Sequence, residues 1–157
     1  MRKRIIAPVQ EQTPLPQQEW LDLEELAEVE LTSEDDNHPI ESALLPDEGQ
    51  GWRAADPGQQ TIRLLFLQPQ QLRRIWLSFR ETRVRRTQEY VLRWSSDGGE
   101  SFQEIIRQQW NFSPDGTTRE TEDLQVELAG VTALELIIVP DISGGEARAS
   151  LKQLRLA

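Results

Sequence analysis

The sequence contains no cysteine and only one histidine among its 157 residues. Without cysteine the chain cannot form disulfides, thiolate metal sites or cysteine nucleophiles. It also lacks a glycine-rich phosphate loop and a serine in a nucleophile-elbow setting. Carboxylate pairs such as Asp35 and Asp36 lie in acidic runs, where nothing raises their pKa values for acid–base work. An enzyme is therefore the least favoured functional class.

Long hydrophobic runs are absent as well. No apolar segment approaches the roughly 20 residues of a membrane-spanning helix. The N-terminus starts with basic residues, but its apolar stretch is only Ile5–Val9 and no cleavage-like sequence follows, so we expect a tail and not a signal peptide. The cysteine-free composition fits a cytoplasmic protein of the bacterial type, which is the expected location.

The net charge of −10 is unevenly distributed along the chain. Residues 1–52 carry a net charge of −10, residues 53–107 contain ten arginines and carry +4, and residues 108–157 carry −4. An acidic total opposes nonspecific nucleic-acid binding, because that binding depends on neutralising phosphates. We expect no nucleic-acid or membrane partner. The arginine-rich middle is either a solvated face of mixed charge or a local contact for an anion.

The most informative stretch is Gln88–Phe112. Tyr90, Leu92 and Trp94 alternate with other residues at the period of two that is typical of a strand with one buried face. Asp97–Gly99 then supplies residues that tolerate positive φ, as a hairpin turn requires. Apolar residues return at Phe102–Ile106. The stretch predicts an antiparallel β-hairpin.

The rest of the chain predicts a two-layer β domain preceded by an irregular arm. Residues 1–20 combine prolines with glutamines and predict the arm. Trp20–Leu26 is either a short helical turn or the lead into a strand. From Ala27 onwards short strands alternate with turn signals, which include Gln68–Gln71 and Gly130. Residues 21–157 are therefore predicted to form an all-β, antiparallel β-sandwich. Its predicted core includes Leu64, Phe66, Ile75, Leu77, Tyr90, Leu92, Leu136 and Leu151.

The order of these motifs resembles a known family. The pieces that carry it are QEYVLRWSSDGGESF, Trp52 shortly before TIRLLFL, and then LRRIWLSF, VTALELIIVP and ASLKQLRL, covering about residues 27–157. This order is similar to the discoidin family, also called coagulation factor C domains. The resemblance implies a jelly roll of the galactose-binding-like type that binds its ligand through loops at one end.

Two positions depart from the family's pattern. Many carbohydrate-binding relatives have a glutamate in the final strand that helps to hold calcium, whereas this chain has Gln153. An amide supplies one oxygen and no charge, so we expect no bound metal and no cofactor, with Asp47 and Glu48 as the remaining alternative ligands. The family's usual arginine in the penultimate strand is replaced by Glu135 or Leu136, which weakens the case for sugar binding.

The direction of the hairpin assigns each loop to one end of the sandwich. Loops 34–46, 80–87, 111–120 and 140–148, together with the segment Gly51–Arg53, are expected at the end opposite the Asp97–Gly99 turn. The resemblance implies that ligands bind at this loop-rich end. The candidate ligand-binding residues there are Asn37, His38, Arg83, Arg86, Trp110, Asn111 and Asp115.

These residue types suit a sugar, which needs a flat aromatic face and fixed hydrogen-bonding groups. Each also has a structural alternative. Trp52 is better explained as a core residue, and Trp110 is either a sugar platform or a cover over the open end of the sandwich. The arginines are alternatively paired with Glu34–Asp36 on the surface, where each ion pair contributes little.

Two functions therefore compete. The first is a non-catalytic module that binds carbohydrate, which is the family's commonest implication. The second is an intracellular protein–protein interaction or scaffold module, because the same fold serves both purposes and fold alone does not choose between them. The sequence does not indicate the oligomeric state.

Overall fold

The computed structural model describes residues 1–3, 15–46 and 49–157. Within these ranges the elements in chain order are α1 (Leu23–Leu26), β1 (Ala27–Leu31), α2 (Glu41–Leu44), β2 (Trp52–Arg53), β3 (Gln60–Arg80), β4 (Arg86–Ser95), β5 (Gln103–Phe112), β6 (Arg119–Val139), β7 (Ser150–Leu151) and β8 (Gln153–Leu156). Every strand pairing is antiparallel. In the described part of the chain, neither helix is long and apolar enough to cross a membrane. The all-β prediction is confirmed.

The predicted hairpin is present as β4 and β5. The two strands pair from Arg86 opposite Phe112 to Trp94 opposite Gln103. In the connecting turn Gly98 and Gly99 have φ angles of +75° and +93°, which only glycine adopts without strain. Side-chain hydrogen bonds from serine hydroxyls, the Ser101 hydroxyl first, hold the pKa of the Asp97 carboxyl well below its usual range. The turn residues thus act as the sequence predicts.

Two predicted turns are wrong. Gln68–Gln71 and Gly130 do not interrupt the chain's pairing, because β3 and β6 run through them as one continuous ribbon. Register shifts occur between Leu65 and Arg74, and Gly130 has a φ of +68° opposite this region. The proline in Gln68–Gln71 and Gly130 mark β-bulges, at which both strands bend together. The two strands therefore stay paired on either side of the bend.

The bend folds the ribbon into the two layers of a sandwich. The first half of β3 pairs with β1, and its second half pairs with β8. The five-residue loop from Arg80 to Arg86 spans at most about 20 Å, so the ribbon must fold back on itself to connect to β4. The rings of Phe79 on β3 and Tyr90 on β4 lie 4.9 Å apart, which shows the two layers in contact.

The space between the layers is the hydrophobic core. All eight core residues that the sequence predicts are buried, each at most 8% exposed. Trp52 is also in the core, 1% exposed, and its indole N–H donates to the carbonyl of Ser33 at 3.1 Å. The interpretation of Trp52 as a core residue is therefore confirmed. Ala43 and Leu44 of α2 cover the same core from one side.

Residues before β1 form a short helix, which decides between the two alternatives for Trp20–Leu26. The Asp22 carboxylate caps α1 by accepting a hydrogen bond from the backbone N–H of Glu24. The backbone N–H of Leu21 donates to the carbonyl of Leu156 and joins this segment to β8. The predicted arm over residues 1–20 falls largely outside the described residues.

Candidate functional site

The loops converge at one end of the sandwich. The backbone N–H of Glu81 donates to the carbonyl of Thr118 at 2.8 Å, and that of Ile142 donates to Thr87 at 2.9 Å. The Asp97–Gly99 turn lies at the opposite end, where the N–H of Gly98 donates to a threonine beside the ribbon's bend. The loop-rich end of the molecule is therefore a single continuous surface.

Arg86 joins two of these loops from below. Its guanidinium donates from Nε to Oε1 of Glu81 at 2.8 Å, and from Nη1 to the carbonyl of Pro140 at 2.8 Å and to Gln88 at 3.1 Å. The same group stacks 4.8 Å from the ring of Phe112. Arg86 is only 3% exposed, so these contacts use it to hold loops together and leave little of it for a ligand.

Glu81 is the carboxylate partner of this arginine. Burial by itself raises the pKa of Glu81, but hydrogen bonds from Arg86 and from the backbone N–H of Arg83 bring the net pKa below its ordinary value. Glu81 is therefore ionised at neutral pH. Its charge is balanced by Arg86.

A cleft of about 500 Å³ opens above this network. Its floor is the short ladder in which Trp52 pairs with Leu151 and Arg53 with Ser150. The N–H of Arg53 also donates to the carbonyl of His38, which fixes the 34–46 loop against the ladder. The residues lining the cleft are His38, Gln50, Trp52, Arg53, Arg80, Glu81, Thr82, Arg83, Arg148, Ser150, Leu151 and Lys152.

Two of the predicted ligand-binding residues, His38 and Arg83, line this cleft. Nδ1 of His38 lies 3.4 Å from Oδ2 of Asp35, and its side chain is 28% exposed. The neighbouring Asn37 is exposed, and its backbone N–H donates to Asp35. His38 and Arg83 are thus brought together by packing, although 45 positions separate them in the sequence.

The other predicted residues lie elsewhere. Trp110 is partly buried and packs against the core from β5. Oδ1 of Asn111 accepts a hydrogen bond from the hydroxyl of Thr87 at 2.6 Å, and Asp115 is exposed on the turn after β5. None of these three, nor Asn37 or Arg86, is among the lining residues of the cleft. Their contact with a ligand remains a prediction.

The predicted pairing of the arginines with Glu34–Asp36 is not observed in the described ranges. Glu34 accepts a hydrogen bond from the backbone N–H of Ile40 instead. The pKa of Asp35 is lowered first by the backbone N–H of Asn37 and then by His38. This acidic segment is therefore organised mainly by its own loop. The charge of Arg148 also contributes to the lowered pKa of Asp35, although no ion pair joins the two side chains in the described ranges.

Sequence reasoning missed four cations of the cleft: Arg53, Arg80, Arg148 and Lys152. The three arginines lie at the edges of loops that were assigned to this end, so loop position was a usable signal for them. Lys152 follows a predicted strand residue, and nothing in the sequence marks it. Its ammonium donates to the carbonyl of Gly49 at 2.9 Å, and burial and then the nearby charge of Arg80 and Arg119 lower its pKa.

Glu135, one of the departures from the family's pattern, has a structural role. Its carboxylate lies between the guanidinium groups of Arg63 and Arg93 and accepts hydrogen bonds from both Nε atoms at 3.0 and 2.9 Å. Both guanidinium groups also lie over the ring of Phe102. This cluster stabilises the outer face of the first layer and does not belong to the cleft.

A metal site is not evident in the part of the chain that the structure describes. No group of three or more histidine, aspartate or glutamate side chains is arranged there to hold an ion. Gln153, at the position where relatives have a glutamate, is part of β8 and pairs with Ser78. Asp47 and Glu48, the alternative ligands, lie outside the described residues.

Gln153 in place of a glutamate predicts that the protein folds without metal. Adding a calcium chelator should leave the melting temperature unchanged, because an amide at position 153 is a poor calcium ligand. The measurement is a thermal melt with and without the chelator, repeated after addition of excess calcium. A fall of many degrees with chelator, reversed by calcium, would contradict the prediction.

No protein-family model matches this sequence, and no curated protein sequence matches it. Solved structures with a similar fold exist. The family 32 carbohydrate-binding module of Clostridium perfringens NanJ, in complex with galactose, has a TM-score of 0.63 at 14% identity over 87% of this chain and 96% of that one. A module from a family 31 glycoside hydrolase of the same organism has a TM-score of 0.61 at 19% identity over 87% and 93%. A pectin-binding module has a TM-score of 0.61 at 16% identity over 83% and 89%. The discoidin-like jelly-roll fold is thus confirmed.

Proposed function

We propose that this chain is a non-catalytic carbohydrate-binding module whose ligand occupies the cleft at the loop-rich end. The observation that carries the proposal is the cleft itself. It is held by the β2–β7 ladder and the Arg86 network, and it presents exposed hydrogen-bonding side chains on a rigid sandwich. Binding sites are commonly built in this way, from loops that a rigid scaffold positions.

The fold and the chemistry of the cleft both support this proposal. Structures with a similar fold are described as binding galactose and pectin. A saccharide presents many hydroxyl oxygens, so it needs polar groups in fixed positions. His38, which faces Asp35, and Arg83, whose backbone is held by Glu81, are two such groups.

The proposal predicts that the protein binds a saccharide and that His38 contributes. A glycan array with the labelled chain should identify a ligand, and calorimetry should then give its affinity. Replacing His38 by alanine should weaken that affinity about tenfold, because one oriented hydrogen-bonding group is lost from the site. The fold should be unaffected, since His38 is partly exposed.

The control is Gln70→Ala at the bend of the ribbon, at the far end of the molecule. This variant should bind the same saccharide as tightly as the unmodified chain. If no saccharide binds on the array or in solution, the proposed function is wrong. If His38→Ala and Gln70→Ala bind equally well, the ligand does not use this cleft.

One observation favours a protein partner as a second candidate. Val84 and Ile142 are 44% and 50% exposed on two loops of the same end, and exposed apolar side chains at neighbouring loop tips suit a protein interface. An empty glycan array, together with a purified partner that binds the chain and loses affinity for Ile142→Asp, would favour this candidate.

We also propose a cytoplasmic location, on the basis of the cysteine-free composition. Cell fractionation tests this proposal.

A further inference from the structure

We infer that the cleft recognises a negatively charged saccharide, one that carries carboxylate or sulfate groups. The inference rests on the proposed carbohydrate-binding function and specifies its ligand class. Five of the chain's 17 cationic residues line this one cleft, although the chain as a whole carries a net charge of −10. These five are Arg53, Arg80, Arg83, Arg148 and Lys152.

Few carboxylates oppose the positive charge of the cleft. Outside its lining, the carboxylate of Asp35 attracts Arg148, whose charge helps to lower the pKa of Asp35. Glu81 is the single carboxylate among the lining residues, and it is already paired with Arg86. The ion pairs in the described part of the chain include none of the four arginines of the cleft. All four are exposed, so their guanidinium groups are available to an anion.

The lowered pKa of Lys152 is consistent with an excess of positive charge in the cleft. Burial and the positive charges of Arg80 and Arg119 lower its pKa, which indicates that cations repel one another at this edge of the cleft. A bound anion would relieve that repulsion. An arginine also presents a planar fork of N–H donors that matches the two oxygens of a carboxylate or sulfate group.

A neutral sugar fits the cleft less well. Neutral sugars are held by an aromatic plane and by a balance of donors and acceptors. Among the lining residues, only His38 and Trp52 carry a ring. Trp52 is 1% exposed, so its ring offers no stacking surface. Its indole N–H already donates a hydrogen bond to the carbonyl of Ser33. Arginine and lysine side chains are donors only. A ligand that complements them must therefore be rich in acceptors.

The test is calorimetry on the full chain with three probes of similar length: trigalacturonate, a heparin-derived oligosaccharide and neutral galactotriose. Both acidic saccharides present the required anions, and binding of either supports the inference and shows which anion is preferred. Galactotriose should bind at least about tenfold more weakly, since it has no anionic group to pair with the guanidinium groups of the cleft. Raising the salt from about 50 to about 300 mM should weaken binding of the acidic probe several-fold.

Arg83→Gln and Arg148→Gln should each weaken binding of the acidic probe about tenfold, because each removes a charged donor from the cleft. The matched control is Arg73→Gln, which removes the same charge from an exposed arginine outside the cleft. It should leave binding unchanged. Melting temperatures identify any variant that is misfolded, and Arg53→Gln then replaces it.

The outcomes separate this inference from the proposed function. If galactotriose binds as tightly as the acidic saccharides and the cleft variants keep that affinity, the charge inference is wrong while carbohydrate binding stands. If none of the three saccharides binds, the charge inference is wrong, and the proposed function fails as well only if the glycan array also shows no ligand. If polyglutamate or a DNA duplex binds as tightly as the acidic saccharides at about 150 mM salt, the cleft attracts anions without selecting sugars, and the inference is overturned.

Discussion

Replacing Leu92 by alanine should lower the free energy of unfolding by about 2–5 kcal/mol, the usual cost of emptying a leucine site in a well-packed core. Leu92 is fully buried in β4, between β5 and β6, where it pairs with Ile106 on one side and Leu136 on the other. Strands on both sides restrict how far the structure can collapse into the cavity. Urea denaturation of the variant and of the unmodified chain measures the difference.

The matched control is Leu67→Ala. Leu67 is 63% exposed at the bend of β3, so the same chemical change there should alter the free energy of unfolding by less than about 0.5 kcal/mol. Equal costs for the two substitutions would show that Leu92 is not a core residue. The two-layer packing around β4 would then be wrong.

Glu120→Gln should stabilise the protein at alkaline pH by about 3 kcal/mol, because this free energy corresponds to the upward shift of the pKa of Glu120 in the folded chain. Glu120 is 2% exposed, and burial, followed by the negative charge of Glu122, raises its pKa from 4.5 to about 7. A hydrogen bond from Gln88 and the charge of Arg86 oppose the shift without cancelling it. Glutamine keeps the shape of the side chain and removes the charge that is costly to bury.

The direction of the pH effect follows from the order of the two pKa values. Below about pH 4.5 both the folded and the unfolded chain hold the proton, so Glu120 does not change stability with pH. Between about 4.5 and 7 the folded chain binds more protons, so its stability falls as the pH rises. Above about pH 7 the full destabilisation is present.

Urea denaturation at about pH 4, 6 and 8 would measure this dependence in both chains. The benefit of Glu120→Gln should be absent at the lowest pH and grow towards the highest. The control is Glu127→Gln, on the exposed face of the same strand, which should keep the pH dependence of the unmodified chain. A constant difference between Glu120→Gln and the unmodified chain at all three pH values would refute the prediction.

Local patterns in the sequence were sufficient to predict the central hairpin and the core. The alternation around Tyr90 and Leu92 reports one buried face, because successive side chains of a strand point to opposite sides of the sheet. Asp97–Gly99 identifies the turn for an equally local reason, since two positive φ angles there require glycine. These features depend on residues that are neighbours in the chain, and they were predicted correctly.

The bend of the β3–β6 ribbon was not predictable in the same way. Proline and glycine at Gln68–Gln71 and Gly130 do mark a change of direction, and the sequence signal was correct to that extent. Whether the backbone leaves the ladder at such a point depends on the partner strand. Here β6 bends together with β3, and the hydrogen bonding between them resumes on both sides of the bulges.

The sequence by itself determined the fold class, the buried faces and the end at which the loops gather. Only the tertiary structure decided which arginines face the cleft. Arg83 and Arg86 are three positions apart, yet Arg83 is exposed and Arg86 is buried. Arg86 is held inside because Glu81 and the distant carbonyl of Pro140 accept hydrogen bonds from its guanidinium group. Arg53 and Arg148 line the same cleft because β2 pairs with β7. The charge of the cleft arises from long-range contacts of this kind, which local sequence patterns do not encode.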